Sequence, residues 1–213
     1  IAVSKIELAR IGQKAEHEFV GVKCGLLDQI SSLFGMDEQL VMTDFRTLDV
    51  KNAPLPSDGD FEPCFAICNT GVKHTLVESE YNERRARCEE AAAWFKTRLN
   101  HDVTHLRDVS WKEWEAHSKD MNPVAAGRSA HVIGENKRVL DGVALLEKGR
   151  LRDFGKLMFE SHESSRKYFE NSCPELDLIV DTARSMPAVF GARLSGGGFG
   201  GCAIILTGES AAA

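Results

Sequence analysis

A run of glycines near the C-terminal end of the sequence constrains the fold more than any other feature. Five of the six positions from 196 to 201 are glycine, and apolar runs at 188–194 and 202–206 flank them. Short apolar runs bounded by turn residues are typical of strands, so we predict a strand–loop–strand unit around this glycine loop, residues 195–201. Such a loop accommodates positive φ angles and can point N–H groups toward an anion. A tight connection packed against another backbone is an equally good interpretation.

Helical patterns fill most of the remaining sequence. Ser4 followed by Glu7 forms a capping box, and apolar residues then recur at helical spacing as far as residue 20. A second helix is predicted over 25–34, with Gly35 as its C-cap. The same reasoning predicts five further helices, over 78–99, 111–119, 123–149, 150–168 and 174–185. The basic run 84–87 alternates with acids at helical spacing and is predicted to be mostly a solvated face.

Two more strands are predicted, over 39–45 and 61–68. The connection 51–60 contains prolines, a glycine and aspartates, and is predicted to be a surface turn. The order of elements lacks the regular alternation of a doubly wound sheet, so the predicted fold class is α+β. We divide the chain into 1–50 and 51–213.

Composition excludes several classes of protein. Net charge is −6, which argues against a nucleic-acid partner, and no stretch is long and apolar enough to span a membrane. The first residues do not resemble a signal peptide, and they lack an initiator methionine, which predicts a cut boundary. The six cysteines are therefore predicted to be free thiols in a cytoplasmic protein. No cysteine or histidine spacing fits a metal site.

Asp28 is the first candidate catalytic residue. It lies three positions after Gly25, at the predicted start of a helix, where a ligand can approach backbone that has no Cβ. The alternative is that an aspartate in a first helical turn only balances the helix dipole. Tyr81 could stack on a sugar or be a partly buried aromatic, and Lys73 could meet a phosphate or be an ordinary surface residue.

Several segments together carry a family resemblance. The stretch Cys-Gly-Leu-Leu-Asp-Gln at 24–29 resembles the galactokinase segment that holds the catalytic aspartate. Other blocks are similar to galactokinases in the same order, namely 72–74, 79–81 with 84–85 and 88–90, 131–135, and 160–162 with 172–177. The block 193–202 resembles the third motif of the superfamily that joins galactokinase, homoserine kinase, mevalonate kinase and phosphomevalonate kinase. The resemblance is collinear over about residues 5–206.

The resemblance implies a fold and a reaction. The fold would be part of the two-domain kinase fold of that superfamily, mainly its helical, ferredoxin-like C-terminal domain, with residues 1–50 as the end of the N-terminal domain. The reaction would be ATP-dependent phosphorylation of galactose at the anomeric hydroxyl, with ATP and Mg²⁺ as cofactors. Asp28 would face that hydroxyl as base or electrostatic partner, and Gly25 and Tyr81 would contact the sugar. Residues near the nucleotide phosphates would be Lys73, Gly196, Gly197, Gly198, Gly200 and Gly201.

Two features of the family do not occur in these 213 residues. They are the N-terminal sugar signature and the Gly-Leu-Ser-Ser-Ser loop that cradles the nucleotide phosphates, the part in which the magnesium ligand is expected. We therefore expect a C-terminal portion of a galactokinase that is inactive alone. An apolar face left by the first helix and strand 39–45 would favour self-association. The alternatives are an N-acetylgalactosamine kinase and a non-catalytic sugar sensor, although Asp28, Gly25 and Tyr81 together favour an enzyme.

Overall fold

The helices occur close to where the sequence predicts them. The structure, a computed structural model, describes residues 3–21, 24–59, 61–72 and 77–208, without the side chains of residues 20, 77–79 and 81. The described helices are α1 (Lys5–Ala15), α2 (Leu27–Phe34), α3 (Val77–Lys96), α4 (Trp111–His117), α5 (Pro123–Glu147), α6 (Leu151–Ser164) and α7 (Pro174–Ser185). Helix α1 continues as a π-helical turn, Glu16–Val20, and α6 continues as another, Ser165–Phe169. A 3-10 turn, Leu106–Asp108, precedes α4. Both halves of the predicted capping box at Ser4 and Glu7 are present.

A three-stranded antiparallel sheet contains the predicted strand–loop–strand unit. Its strands are β3 (Pro63–Asn69), β4 (Val189–Leu194) and β5 (Cys202–Gly208), in the order β3-β5-β4. The glycine loop joins β4 to the central strand β5, and Asn69 at the end of β3 pairs with Cys202 at the start of β5. The loop therefore lies at the same edge of the sheet as the residues that follow β3.

A hairpin occupies the region where the sequence predicts a surface turn, and that prediction is wrong for residues 51–54. Strand β1 (Gln39–Asp44) pairs with β2 (Asp49–Pro54), and the turn lies at 45–48 instead. Ala53 is buried in a core cluster with Leu146 and Leu151, which stabilises the second strand. Pro54 is its last residue, where a missing N–H costs least. Pairs such as Leu40 with Ala53 cross position 50, so the hairpin spans the predicted division, and that division stays a prediction.

Helices α6 and α7 cover the sheet and fix the end of β4. Helix α6 lies directly on β4, because Gly155 and Gly191 face each other with no side chain between them. A Cβ at Gly155 would lie 2.2 Å from the carbonyl oxygen of Phe190. Helix α7 contributes Leu176 and Val180 to a core cluster that also includes buried residues of β4 and β5. The strand that enters the glycine loop is thus held on a rigid layer of helices.

Helices α1 and α2 pack together near the start of the described chain. Ala9 and Ile30 are both 1% exposed at their contact, whereas Phe19 is 89% exposed and Leu27 is 55% exposed. The first helix thus has the exposed apolar face that the sequence predicts, with Ile11 at 58% exposure, and Leu27 of α2 adds to it. Residues 40–44 of β1 are half-buried, so the strand contributes less to that face than expected.

Candidate functional site

Asp28 lies in an open position at the start of α2. It is the second residue of the helix, and the N-cap residue Leu26 makes no side-chain cap. Asp28 and Gly25 are both exposed, and among the described residues, apart from its chain neighbours, no atom lies within 4 Å of the point that a Cβ on Gly25 would occupy. Among the described residues, nothing blocks the approach of a ligand to this carboxylate along the backbone of residues 24–26.

Helix α1 holds the segment that leads to Asp28. Gln13 on α1 and His17 in the π-helical turn that continues it both donate a side-chain N–H to the carbonyl oxygen of Cys24, at 3.1 and 2.9 Å. Behind them the two helices approach closely, since a Cβ on Gly12 would lie 3.3 Å from Cγ of Gln29. Gln13 and His17 are not among the residues predicted from the sequence, and their i,i+4 spacing is the one local signal that marks them.

The glycine loop adopts left-handed backbone conformations, as predicted. Five of its residues have φ angles between 59° and 127°, namely Gly196, Gly198, Phe199, Gly200 and Gly201. The N–H groups of Ser195 and Phe199 donate to the carbonyl oxygens of Cys202 and Asn171, at 2.8 and 2.6 Å. Within the described ranges, no carbonyl oxygen accepts a hydrogen bond from the N–H groups of Gly196, Gly197, Gly200 and Gly201. As far as the described residues go, these groups are available to meet a ligand.

Part of the loop also packs against another backbone, so the second interpretation of the sequence holds as well. A Cβ on Gly198 would lie 2.0 Å from the carbonyl oxygen of Asn171. The side-chain amide of the buried Asn171 donates to the carbonyl oxygen of Gly197 at 3.0 Å. Thr70, after β3, donates both its N–H and its hydroxyl to the carbonyl oxygen of Gly201, at 2.8 and 2.9 Å. Asn171 and Thr70 are not among the residues predicted from the sequence.

A buried arginine, Arg84, supports the turn beneath the loop and is the exception to the mostly solvated face predicted for 84–87. Arg84 on α3 is 8% exposed and donates to the carbonyl oxygens of Phe169 and Glu170, both at 2.8 Å. Its guanidinium also lies 5.3 Å from the ring centre of Phe199 in the glycine loop. The alternation of charges with helical spacing does not reveal these partners, because they lie more than 80 positions away in the sequence.

The structure does not join all the candidate residues into one site. Among the described residues, no hydrogen bond or ion pair connects Asp28 with the glycine loop. Lys73 lies outside the described residues, and so does the side chain of Tyr81, whose backbone belongs to α3. In the ranges that the structure covers, no group of three His, Cys, Asp or Glu side chains could hold a metal ion. No described helix has the length and apolar character needed to cross a membrane.

Comparison with known proteins connects this arrangement to one family. Residues 143–213 match the family model described as GHMP kinases C terminal. A galactokinase of Glaesserella parasuis is 44% identical over 210 residues, which are 97% of this chain and 52% of the relative. A galactokinase of Bos taurus is 42% identical over 204 residues, covering 96% of this chain and 50% of the relative.

A solved structure extends the similarity to the fold. The crystal structure of Lactococcus lactis galactokinase complexed with galactose matches 99% of this chain with a TM-score of 0.89 and 34% identity. The chain belongs to the galactokinase family. This assignment confirms the resemblance found in the sequence and the predicted mixed α+β fold.

The galactokinase match covers 53% of the Lactococcus lactis chain, so this chain spans about half the length of the relatives it matches. Mevalonate kinase of L. major, in complex with R-mevalonate, matches with a TM-score of 0.57 and 20% identity, which shows a shared fold alone.

Proposed function

We propose that the protein to which these residues belong transfers a phosphoryl group from ATP to the anomeric hydroxyl of galactose. The observation that carries the proposal is the match of 99% of the chain to a galactokinase solved with galactose. That match spans the segment around Asp28 and the glycine loop together. Phosphoryl transfer depends mainly on positioning and on charge stabilisation, and these two segments offer one element for each task.

Asp28 is proposed to hold the anomeric hydroxyl, as base or as electrostatic partner. A sugar hydroxyl is a poor nucleophile at neutral pH, and a carboxylate within hydrogen-bond reach contributes about 10²–10⁴ in rate. Three features support this role: the exposed position of Asp28, the open backbone at Gly25, and the anchoring of Cys24 by α1. Gly25 and Tyr81 are proposed to contact the sugar.

The glycine loop is proposed to lie near the nucleotide phosphates. Its free N–H groups at Gly196, Gly197, Gly200 and Gly201 support this placement, because successive N–H groups in left-handed turns form anion-binding concavities. Lys73 is proposed to lie in the same vicinity. The described residues offer no set of ligands for Mg²⁺, so no step of this proposal is routed through the metal. The protein is proposed to act in the cytoplasm.

The test compares two aspartates in the protein expressed from the complete reading frame that encodes these residues. We expect Asp28→Ala to lower kcat for galactose by about 10² or more while the melting temperature stays unchanged, because an exposed carboxylate contributes little to stability. Asp37→Ala is the matched control, since Asp37 is an exposed aspartate just beyond the same helix. The reaction is followed by a coupled assay of ADP release, with galactose and magnesium-ATP as substrates.

Other outcomes identify the alternatives. An Asp28→Ala variant that keeps more than about a tenth of wild-type kcat would refute the proposed role. Preference for N-acetylgalactosamine over galactose would identify the other sugar kinase. Galactose binding without turnover in the unmutated protein would identify a sensor. The 213 residues alone are expected to show no turnover, because they contain no Gly-Leu-Ser-Ser-Ser phosphate loop.

A further inference from the structure

Four of the sequence blocks meet at the end of β4, beside the glycine loop, and the proposed reaction assigns a role to only one of them. Glu135, from block 131–135, accepts a hydrogen bond from the hydroxyl of Ser161 at 2.8 Å. The same carboxylate lies 3.6 Å from the guanidinium of Arg193, the next-to-last residue of β4. Helices α5 and α6 are thereby tied to the strand one residue before it ends.

His162 holds the last residue of the strand. It is fully buried, and its Nδ1 lies 3.2 Å from the backbone nitrogen of Leu194. The backbone N–H can only donate, so Nδ1 must be the acceptor and carry no proton. The proton of the neutral ring then lies on Nε2, which is 3.1 Å from Oδ1 of Asp177 and donates to it. A single tautomer therefore satisfies both contacts.

Asp177 links this histidine to the turn that supports the loop. Its Oδ1 also accepts a hydrogen bond from the hydroxyl of Ser172 at 2.6 Å, and its Oδ2 lies 3.1 Å from Nε of Arg166. Ser172 follows Asn171, whose carbonyl oxygen and side-chain amide contact the glycine loop at Phe199 and Gly197. The same network thus reaches the loop twice, at its entrance through His162 and at its tip through Asn171.

We propose that His162 is a positioning residue for the glycine loop, and that its neutral, Nε2-protonated ring fixes the loop by joining Leu194 to Asp177. Only the identity of the ligand that the loop binds rests on the proposed function. The conformation of the loop can be measured without any substrate, so the two proposals can fail separately.

The network predicts that acid releases the loop. Protonation of His162 adds a hydrogen at Nδ1, which then opposes the N–H of Leu194 and removes its acceptor. The ring faces Glu163 on its own helix, Asp177 and Asp181 on α7, and Arg166, which bridges those two aspartates. On the β4 side, Arg193 is engaged with Glu135. Burial lowers the pKa of His162 despite the nearby carboxylates, so the neutral ring is the dominant form at neutral pH.

The first experiment measures the tautomer directly in the unmutated 213-residue chain. Nitrogen-15 NMR of the imidazole ring distinguishes a proton on Nε2 from one on Nδ1. We expect the Nε2-protonated neutral form at pH 7.5. A neutral ring protonated on Nδ1, or a charged ring at that pH, would overturn the proposal whether or not any variant folds.

The second experiment measures loop protection as the hydrogen-exchange protection factors of the Ser195 and Phe199 amides, the two N–H groups of the loop that donate hydrogen bonds among the described residues. Protection factors remove the intrinsic pH dependence of exchange. Glutamine places its amide near the position of Nε2, so His162→Gln removes the acceptor for Leu194 and should lower loop protection about tenfold or more. Asparagine places an oxygen near the position of Nδ1, so His162→Asn should restore most of the protection.

His131→Asn is the matched control for the exchange experiment. His131 is a second buried histidine, but its Nδ1 lies 2.9 Å from the hydroxyl of Ser164 and does not contact the loop. Its replacement should leave loop protection unchanged. Equal loop protection in the wild type and His162→Gln, or an equal loss in the His131 control, would refute the positioning role.

Discussion

The buried ring of His131 makes the stability of the fold sensitive to mild acid. It lies on α5, where it contacts the hydroxyl of Ser164 at 2.9 Å and the ring of Phe169 at a centre distance of 4.6 Å. Burial lowers the pKa of His131 from an ordinary 6.5 to about 4, because the charged ring loses its hydration there. Glu135 opposes this shift, while Arg138 and Arg193 add to it.

The sign and size of the effect follow from proton linkage. Above pH 6.5 the ring is neutral in both the folded and unfolded chains and has no effect on stability. Between pH 6.5 and about 4 the unfolded chain binds a proton that the folded chain does not, so the free energy of unfolding decreases as the pH is lowered through this range. Because the pKa is 6.5 in the unfolded chain and about 4 in the folded chain, the free energy of unfolding is lower by roughly 3 kcal/mol below pH 4 than at neutral pH. At pH 5 the loss is roughly 2 kcal/mol.

Urea unfolding at pH 7.5 and pH 5.0 tests this linkage. Asparagine at position 131 can still reach Ser164 but does not titrate, so His131→Asn should lose about 2 kcal/mol less than the wild type between the two pH values. His162 remains in both proteins, and its lowered pKa acts in the same direction. Equal losses in the two proteins would show that His131 is hydrated or already charged in the folded state, and the reasoning from burial would be wrong.

Three further perturbations test other parts of the structure. Gly155→Ala should lower the free energy of unfolding by about 3 kcal/mol or more in urea, because its Cβ would lie 2.2 Å from a carbonyl oxygen of β4; a loss below 1 kcal/mol would contradict the close backbone contact. Gly198→Val should lower the melting temperature and raise KM for ATP, whereas Gly197→Ala, with open space and an ordinary φ, should change the melting temperature little; no change in either quantity for Gly198→Val would make the loop an ordinary turn. Light scattering should show self-association of the 213-residue chain that Phe19→Ser with Leu27→Ser reduces, since both side chains are more than half exposed; a monomer at all concentrations would oppose it.

The elements that sequence reasoning predicts well are those with a local signal. The capping box at Ser4, the proline at the start of α5 and the glycine loop each specify their own backbone within a few residues. Strand β2 has no such signal. Its proline and aspartate suggest a turn, and only pairing with β1 and burial of Ala53 under α5 and α6 make it a strand.

The residues of the candidate site also fall into two groups, those with a local sequence signal and those without one. Asp28 and Gly25 could be found because a helix start and an open backbone are local features. The residues that hold the glycine loop could not, because their partners are distant in the sequence. Asn171 reaches Gly197 across 26 positions, and His162 reaches Leu194 across 32. Arg84 is buried by contacts that span more than 80 positions, so its helical charge pattern alone suggests the wrong environment.

The contact between Gly155 and Gly191 has a mechanical consequence. Where side chains separate a helix from a sheet, they can change rotamer and absorb small relative movements. Between α6 and β4 the two backbones touch, and the nearest atoms that could yield belong to the main chain itself. Helix and strand must therefore move as one rigid unit, with Gly155 in the second turn of α6 and the glycine loop at the C-terminal end of β4. Substitutions on the outer face of α6 thus offer a way to tilt the loop without altering a residue inside it.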